Sequence, residues 1–196
     1  MITPRNIPFA RMSAESYYSV GKSLYSGYHS IHMNRILKVA ERPQQDGLIK
    51  FAIPSMVNLT LALELYLKVL VFQHGVQTIL IKHDILKFFQ LLPAATRDSI
   101  NNSFLHKYNE DLQLLIEFKI DGVSTFREPK SKYDKITKFL KDHRNSFVDW
   151  RYFHEIMEKE ESSFFSFKGM IYTIDVLREH SFNYQGDMRS SLKIGP

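Results

Sequence analysis

From Leu59 to Phe72 the chain reads LTLALELYLKVLVF, with an apolar residue at every position except Thr60, Glu64 and Lys68. Those three fall at i, i+4 and i+8, so a helix built on this run keeps one polar stripe and is apolar all round otherwise. A helix of that kind must be surrounded by other helices, which makes it the central member of a bundle. Pro54 suits its first turn and Gly75 its C-terminal stop. Glu64 and Lys68 stand one turn apart and are expected to form an ion pair that ties the bundle from within. The run carries both charges and is too short for a convincing transmembrane span. The opening residues MITPRNIPFARM contain no apolar signal-peptide core, so a soluble cytoplasmic protein is expected.

The flanking segments supply the surrounding helices. Ser13 is a candidate N-cap, and from Ala14 to about Glu41 the residues Tyr17, Val20, Leu24, Tyr28, Ile31 and Leu37 recur at three- and four-residue intervals until Arg42-Pro43. Gly21 and Gly27 weaken this helix locally. Its tyrosines, 17, 18, 25 and 28, suit a core or a dimer interface better than base stacking. Asp84 reads as the cap of a short helix, Ile85–Leu92, stopped by Pro93. A further helical region spans about Ala94 to Ile120, with a possible break near Tyr108-Asn109, before Asp121-Gly122. Val123–Ser131 reads as a loop, and from Tyr133 an amphipathic helix begins. A helix over His143 to about Glu161 follows, then one from about Phe164 to His180. No strand alternation is convincing, although Leu48–Ile53 could be extended. The expectation is all-α: a bundle of five to seven helices forming one domain over residues 1–182, with a mobile polar tail from Asn183 to Pro196.

With 44% hydrophobic and 13% aromatic residues, 196 residues suffice for a real core. The absence of cysteine excludes disulfides, a thiolate nucleophile and a sulfur-based zinc site. His83-Asp84 has no third ligand at useful spacing and Asp84 is better used as a cap, so no metal site and no cofactor are expected. There is no Gly-rich phosphate loop, no GxSxG elbow and no HExxH pair, which leaves nucleotide hydrolysis, ester hydrolysis and zinc proteolysis without support.

The net charge of +5 and pI near 9.3 give a mild basic bias, concentrated between Arg127 and Arg144. On the amphipathic helix, Ile136, Phe139 and Leu140 share one arc, and Lys135, Lys138 and Lys141 share the opposite one. Those lysines are either a solvated face or a phosphate-binding row. Directly after them comes HRNSFVDWRYFHE, His143–Glu155, in which ionisable groups stand among aromatic ones. Burying an unpaired charge costs several kcal/mol as an order of magnitude, so these groups are either paired inside or line a wet site. Arg151 and Glu155, at i and i+4, fit an internal pair. His154 falls among Phe147, Trp150 and Met157, and Asn145 could cap the helix.

The segment Leu61–Pro93, LALELYLKVLVFQHGVQTILIKHDILKFFQLLP, resembles the helical domains of the HEPN superfamily in its order of apolar helix, Gly stop, His-Asp cap and short helix ending in Leu-Pro. The spacing of Phe147, Val148, Trp150, Arg151, Tyr152 and Glu155 is also similar to HEPN-like bacterial proteins. The resemblance implies a bundle that dimerises and, in active members, cleaves RNA without a metal. Active members carry an Arg, often followed by a polar residue such as Asn, and a His with four to six residues in between. Arg144-Asn145 matches the first half; Asp149, Trp150 and Arg151 fill the window for the His, and the nearest downstream histidine is His154.

Cleavage without a metal needs a proton acceptor near neutrality and cations for the phosphorane charge. The candidate catalytic residues are therefore Arg144, Asn145, Arg151 and His154, and the candidate nucleic-acid contacts Lys135, Lys138 and Lys141. The functional expectation is an RNA-engaging, homodimeric HEPN-like protein in a phage-defence or toxin–antitoxin setting, with an antitoxin or defence protein as a possible partner. The alternative is a non-catalytic HEPN-like interaction module.

Overall fold

The apolar run folds as expected, into the helix Ile53–Gln73, with Pro54 in its first turn and Gly75 at φ 73° just past its end. The computed structural model describes residues 6–36, 51–76, 83–110, 116–119, 126–127, 133–144, 146 and 164–184. Among these the helices are α1 (Ile7–Ile36), α2 (Ile53–Gln73), α3 (Ile85–Gln90), α4 (Ala94–Glu110), α5 (Ile136–Asp142) and α6 (Phe167–Asn183). Three short strands, β1 (Ile116–Lys119), β2 (Phe126–Arg127) and β3 (Phe164–Ser166), accompany them. The fold is an all-α helical bundle with a small antiparallel sheet.

Helix α2 is long and apolar enough to cross a membrane by length and composition. Here it forms the core: Leu59, Ala62, Leu63, Tyr66 and Leu67 are inaccessible to solvent. Each of these leucines contributes about 1.5–3 kcal/mol on burial. Helix α1 runs antiparallel to it, since Gly21 lies against Leu59 and Glu15 receives the hydroxyl of Tyr66. Helix α6 is also antiparallel to α1, pairing Arg11 with Ser181, Tyr18 with Asp175 and Tyr25 with Phe167. Tyr18, Tyr25, Leu59, Tyr66 and Phe167 belong to one contiguous core that reaches α3, α4 and α5.

Several boundaries differ from the sequence reading. Helix α1 begins at Ile7, so Ser13 is an exposed residue inside it rather than its cap. The extra turns were invisible to periodicity because Phe9 and Met12 face solvent; the Arg11 guanidinium anchors them by donating to Ser181 O at 2.7 Å. Residues 51–53 are helical, not extended. The helical region expected to reach Ile120 does not do so: α4 is described over Ala94–Glu110, and Ile116–Lys119 is the central strand of the sheet. It pairs with β2 through Ile116↔Arg127 and Glu117↔Phe126, within the segment read as a loop, and with β3 through Phe118↔Phe165. Strands this short cannot display alternation, so only pairing across the chain reveals them. The last helix accordingly starts at Phe167, not Phe164; Ser166 ends β3 and caps α6, its hydroxyl accepting from Gly169 N at 3.2 Å. The tail beyond residue 184 lies outside the described residues.

Candidate functional site

Helix α5 is amphipathic as expected. Ile136, Phe139 and Leu140 are fully buried, while Lys135, Lys138 and Lys141 are exposed. Asp142 is exposed on the same arc, yet none of the three lysines has an ion-pair partner among the described residues. The row therefore remains a net positive, solvated face. It is held rigidly, because Asn101 Oδ1 accepts from the backbone N–H of Ile136 at 3.0 Å where α5 begins.

Directly after α5 the two leading residues of HRNSFVDWRYFHE part company. His143 is fully buried, stacked on Phe139 at 4.2 Å. Its Nδ1–H donates to Phe139 O at 3.0 Å and its Nε2 accepts from the Ser166 amide at 3.1 Å. Both nitrogens are used with the ring neutral, so His143 is a structural link between α5 and β3. Arg144 points outward with its side chain 45% exposed, and holds Asp84 Oδ2 through Nε at 2.9 Å and Nη2 at 2.5 Å. Asn145, Arg151 and His154 lie outside the described residues, as does the expected pairing of Arg151 with Glu155.

Asp84 serves two partners at once. Its Oδ1 accepts from Lys87 N, capping α3 as the sequence suggested, while Oδ2 takes Arg144 and lies 3.8 Å from Lys87 Nζ. Burial pushes this carboxyl up, but hydrogen bonds from Arg144 and the Lys87 amide, together with those cations, hold it below its ordinary value. A carboxyl with a folded pKa below its unfolded one contributes stability above the unfolded value and loses it as pH falls through the folded one. Asp84→Asn, which still caps but does not titrate, should therefore lose less stability than wild type between about pH 6 and about pH 3. Urea midpoints at both pH values measure this, and identical acid limbs would count against it. Asp84→Ala should cost about 1 kcal/mol at neutral pH through the lost cap.

Next to Asp84 in the chain stands His83, reaching the polar stripe of α2. Glu64 is almost fully buried and is paired with Lys68, as expected, but also with His83, whose Nδ1 lies 2.9 Å from Oε2 and 3.2 Å from Oε1. Sequence reasoning assigned Glu64 one partner and missed the second. The available signal was a carboxylate with two oxygens on the stripe of a buried helix, which a single lysine does not satisfy. Lys68 Nζ also lies over the Phe88 ring at 5.2 Å, fixing α3 against α2. Glu64, Lys68, His83, Asp84 and Arg144 thus form one charged corner where α2, α3 and the end of α5 meet. Among the described residues no group of three or more His, Cys, Asp or Glu side chains could hold a metal ion.

Two other polar groupings stand out among the described residues. Glu15 accepts from the Tyr66 hydroxyl and from Arg178 Nε at 2.6 Å, and Tyr18 donates to Asp175 Oδ1 at 2.7 Å. Burial raises the Glu15 carboxyl, yet the hydrogen bonds from Arg178 and Tyr66 bring it below its ordinary value. Burial and then the carboxylates they serve push both phenols above the tyrosine range. These contacts lock α1, α2 and α6 together, and Tyr18, Tyr25 and Tyr28 are core residues while Tyr17 is exposed. The second is an open groove lined by His74, Thr96, Ser99, His180 and Tyr184, in which burial keeps both imidazoles below their ordinary value. The described geometry brings no charged side chain into that groove, so the corner at Arg144 is the stronger candidate.

What fold and corner define together is a helical bundle presenting a cationic helix beside a buried carboxylate, an imidazole and a guanidinium. The chain matches no protein-family model, no curated protein and no solved structure.

Proposed function

We propose that this chain is an HEPN-like helical protein that engages RNA, with Lys135, Lys138 and Lys141 contacting the phosphate backbone. The observation that carries the reading is the outward row of three lysines on a helix whose opposite arc is fully buried. Cations fixed on a rigid face release counterions when they meet phosphates, without needing base contacts. Arg144 continues the row past the end of α5. The resemblance noted above suggests a homodimer working in the cytoplasm, in phage defence or as part of a toxin–antitoxin pair, with Asn145, Arg151 and His154 joining Arg144 in metal-independent cleavage.

The test is fluorescence anisotropy of labelled single-stranded RNA across a salt series. Each phosphate contact to a single strand contributes about 0.7 to the slope of log affinity against log salt, so the Lys135/Lys138/Lys141→Gln triple variant should flatten the slope by about 2. An unchanged affinity and slope would sink the reading.

A second reading, the non-catalytic interaction module, is favoured by one observation: Arg144 is already engaged by Asp84 and ties α5 to the cap of α3. On that reading the exposed apolar residues of α1, Phe9, Met12 and Val20, meet a protein partner. It requires that wild type show no salt-dependent RNA binding.

A further inference from the structure

We propose that Asp84 is a latch on Arg144: in the free protein it keeps the guanidinium in an ion pair, and RNA binds by drawing Arg144 from the carboxylate onto a phosphate. This deepens the RNA-engaging reading above and rests on it. Lys135, Lys138, Lys141 and Arg144 follow one another at intervals of three residues. The Arg144 amide donates to Lys141 O at 3.3 Å, so the turn that carries the lysines runs on to the arginine. Among the described residues the lysines have no ion-pair partner, whereas Arg144 is claimed by an acidic residue 60 positions away. One cation of the series is thereby cancelled in advance, and a phosphate approaching it meets a carboxylate as well as a guanidinium.

The contact is arranged for exchange rather than for permanence. The Arg144 side chain is 45% exposed, and an ion pair at the surface is held only weakly against water. Its Nε and Nη2 both donate to a single oxygen, Asp84 Oδ2. A phosphate offers two oxygens to the same edge of the guanidinium, which allows two parallel hydrogen bonds in place of two converging ones. Arg144 therefore improves its bonding by moving.

The carboxylate that it leaves is provided for. Asp84 is only 15% exposed, so without a cation it would keep its charge in a largely dehydrated place, which is costly. Lys87 stands ready: its Nζ lies 3.8 Å from the same Oδ2, and its side chain is 59% exposed. Meanwhile Oδ1 goes on capping α3 by accepting from Lys87 N at 3.1 Å, so the cap survives the exchange. The corner thus has two states, one with Arg144 on Asp84 and one with Arg144 on phosphate and Lys87 on Asp84. RNA selects the second because only that state adds the guanidinium to the lysine row.

The experiment measures fluorescence anisotropy of labelled single-stranded RNA against the full chain at fixed salt, with circular dichroism to follow folding. The variants are Asp84→Asn and Asp84→Ser, which still cap α3 without a charge, together with Arg144→Gln, Lys87→Gln and the pairs of each with Asp84→Asn. Asp84→Asn and Asp84→Ser should bind about two- to fivefold more tightly than wild type, the fold-change that corresponds to releasing one exposed ion pair, and Arg144→Gln should abolish the gain. Lys87→Gln should weaken binding when Asp84 is present and leave Asp84→Asn unchanged. In wild type the nuclear magnetic resonance signal of the Arg144 Nε–H, assigned by its loss in Arg144→Gln, should shift when RNA is added, a readout that needs no change at Asp84. RNA binding with that signal unmoved, or with Asp84→Asn no tighter than wild type, overturns the latch and leaves the binding reading standing. An equal gain in the Arg144→Gln background overturns it too, since removal of a nearby negative charge would then be the whole effect. RNA binding by none of these proteins overturns both.

Discussion

Phe139→Ala is expected to destabilise the protein by about 3–5 kcal/mol and to lower its melting temperature by roughly 6–20 °C. Phe139 is inaccessible to solvent and stands where α4, α5 and α6 meet: its ring meets Phe104 of α4 at 5.8 Å, and Tyr133 and His143, which flank α5, at 5.3 Å and 4.2 Å. On the fourth side it lies so close to α6 that a Cβ added at Gly169 would fall 2.6 Å from its Cε2. A seven-residue helix has almost no stability of its own, so α5 exists because this face is docked. Losing the ring removes buried apolar area and leaves a void against a rigid neighbour. The lysine row rides on this helix and Arg144 follows its end, so on the proposed reading RNA affinity should fall with stability. Thermal denaturation followed by circular dichroism measures the effect; a shift under about 2 °C would mean that α5 is held by something other than its apolar arc.

The second large effect concerns Gly21. A Cβ there would approach Leu59 Cγ at 2.9 Å and the Leu59 backbone nitrogen at 3.1 Å, and Leu59 is fully buried in α2. The close approach also lets Ser55 Oγ donate to Gly21 O at 2.7 Å. Gly21→Val should therefore cost about 1–3 kcal/mol by overpacking, despite the helical entropy that glycine gives up. Gly27 makes the opposite case, since an added Cβ meets only Phe51 at an ordinary 3.4 Å. Gly27→Ala should be neutral or stabilising by up to about 1 kcal/mol. Urea denaturation of the two variants distinguishes these signs, and a destabilised Gly27→Ala with a tolerated Gly21→Val would refute the account.

Where helix formation depends on local pattern, the sequence was legible. The surrounded helix α2, the Asp84 cap, the Glu64 to Lys68 pair and the two arcs of α5 all follow from spacing, because a 3.6-residue period sorts side chains by face before any partner is known. The glycines of α1 were read as weak points; the structure makes Gly21 a contact point, and no single-sequence pattern distinguishes the two. The strands were lost for a related reason. β1 is defined by partners in two other segments, one of them nearly 50 residues further on, and its four residues carry no period of their own.

At the candidate site the division is sharper. The sequence by itself determined that Lys135, Lys138 and Lys141 share one face and that Arg144 follows it, since both facts depend only on order along a helix. It could not say that His143 is consumed by Phe139 O and the Ser166 amide, or that Arg144 meets Asp84 across 60 residues. Nor could it show Glu64 carrying His83 as well as Lys68. Buried polar groups take whichever partners the chain brings within about 3 Å, and that depends on how helices cross rather than on what each one contains.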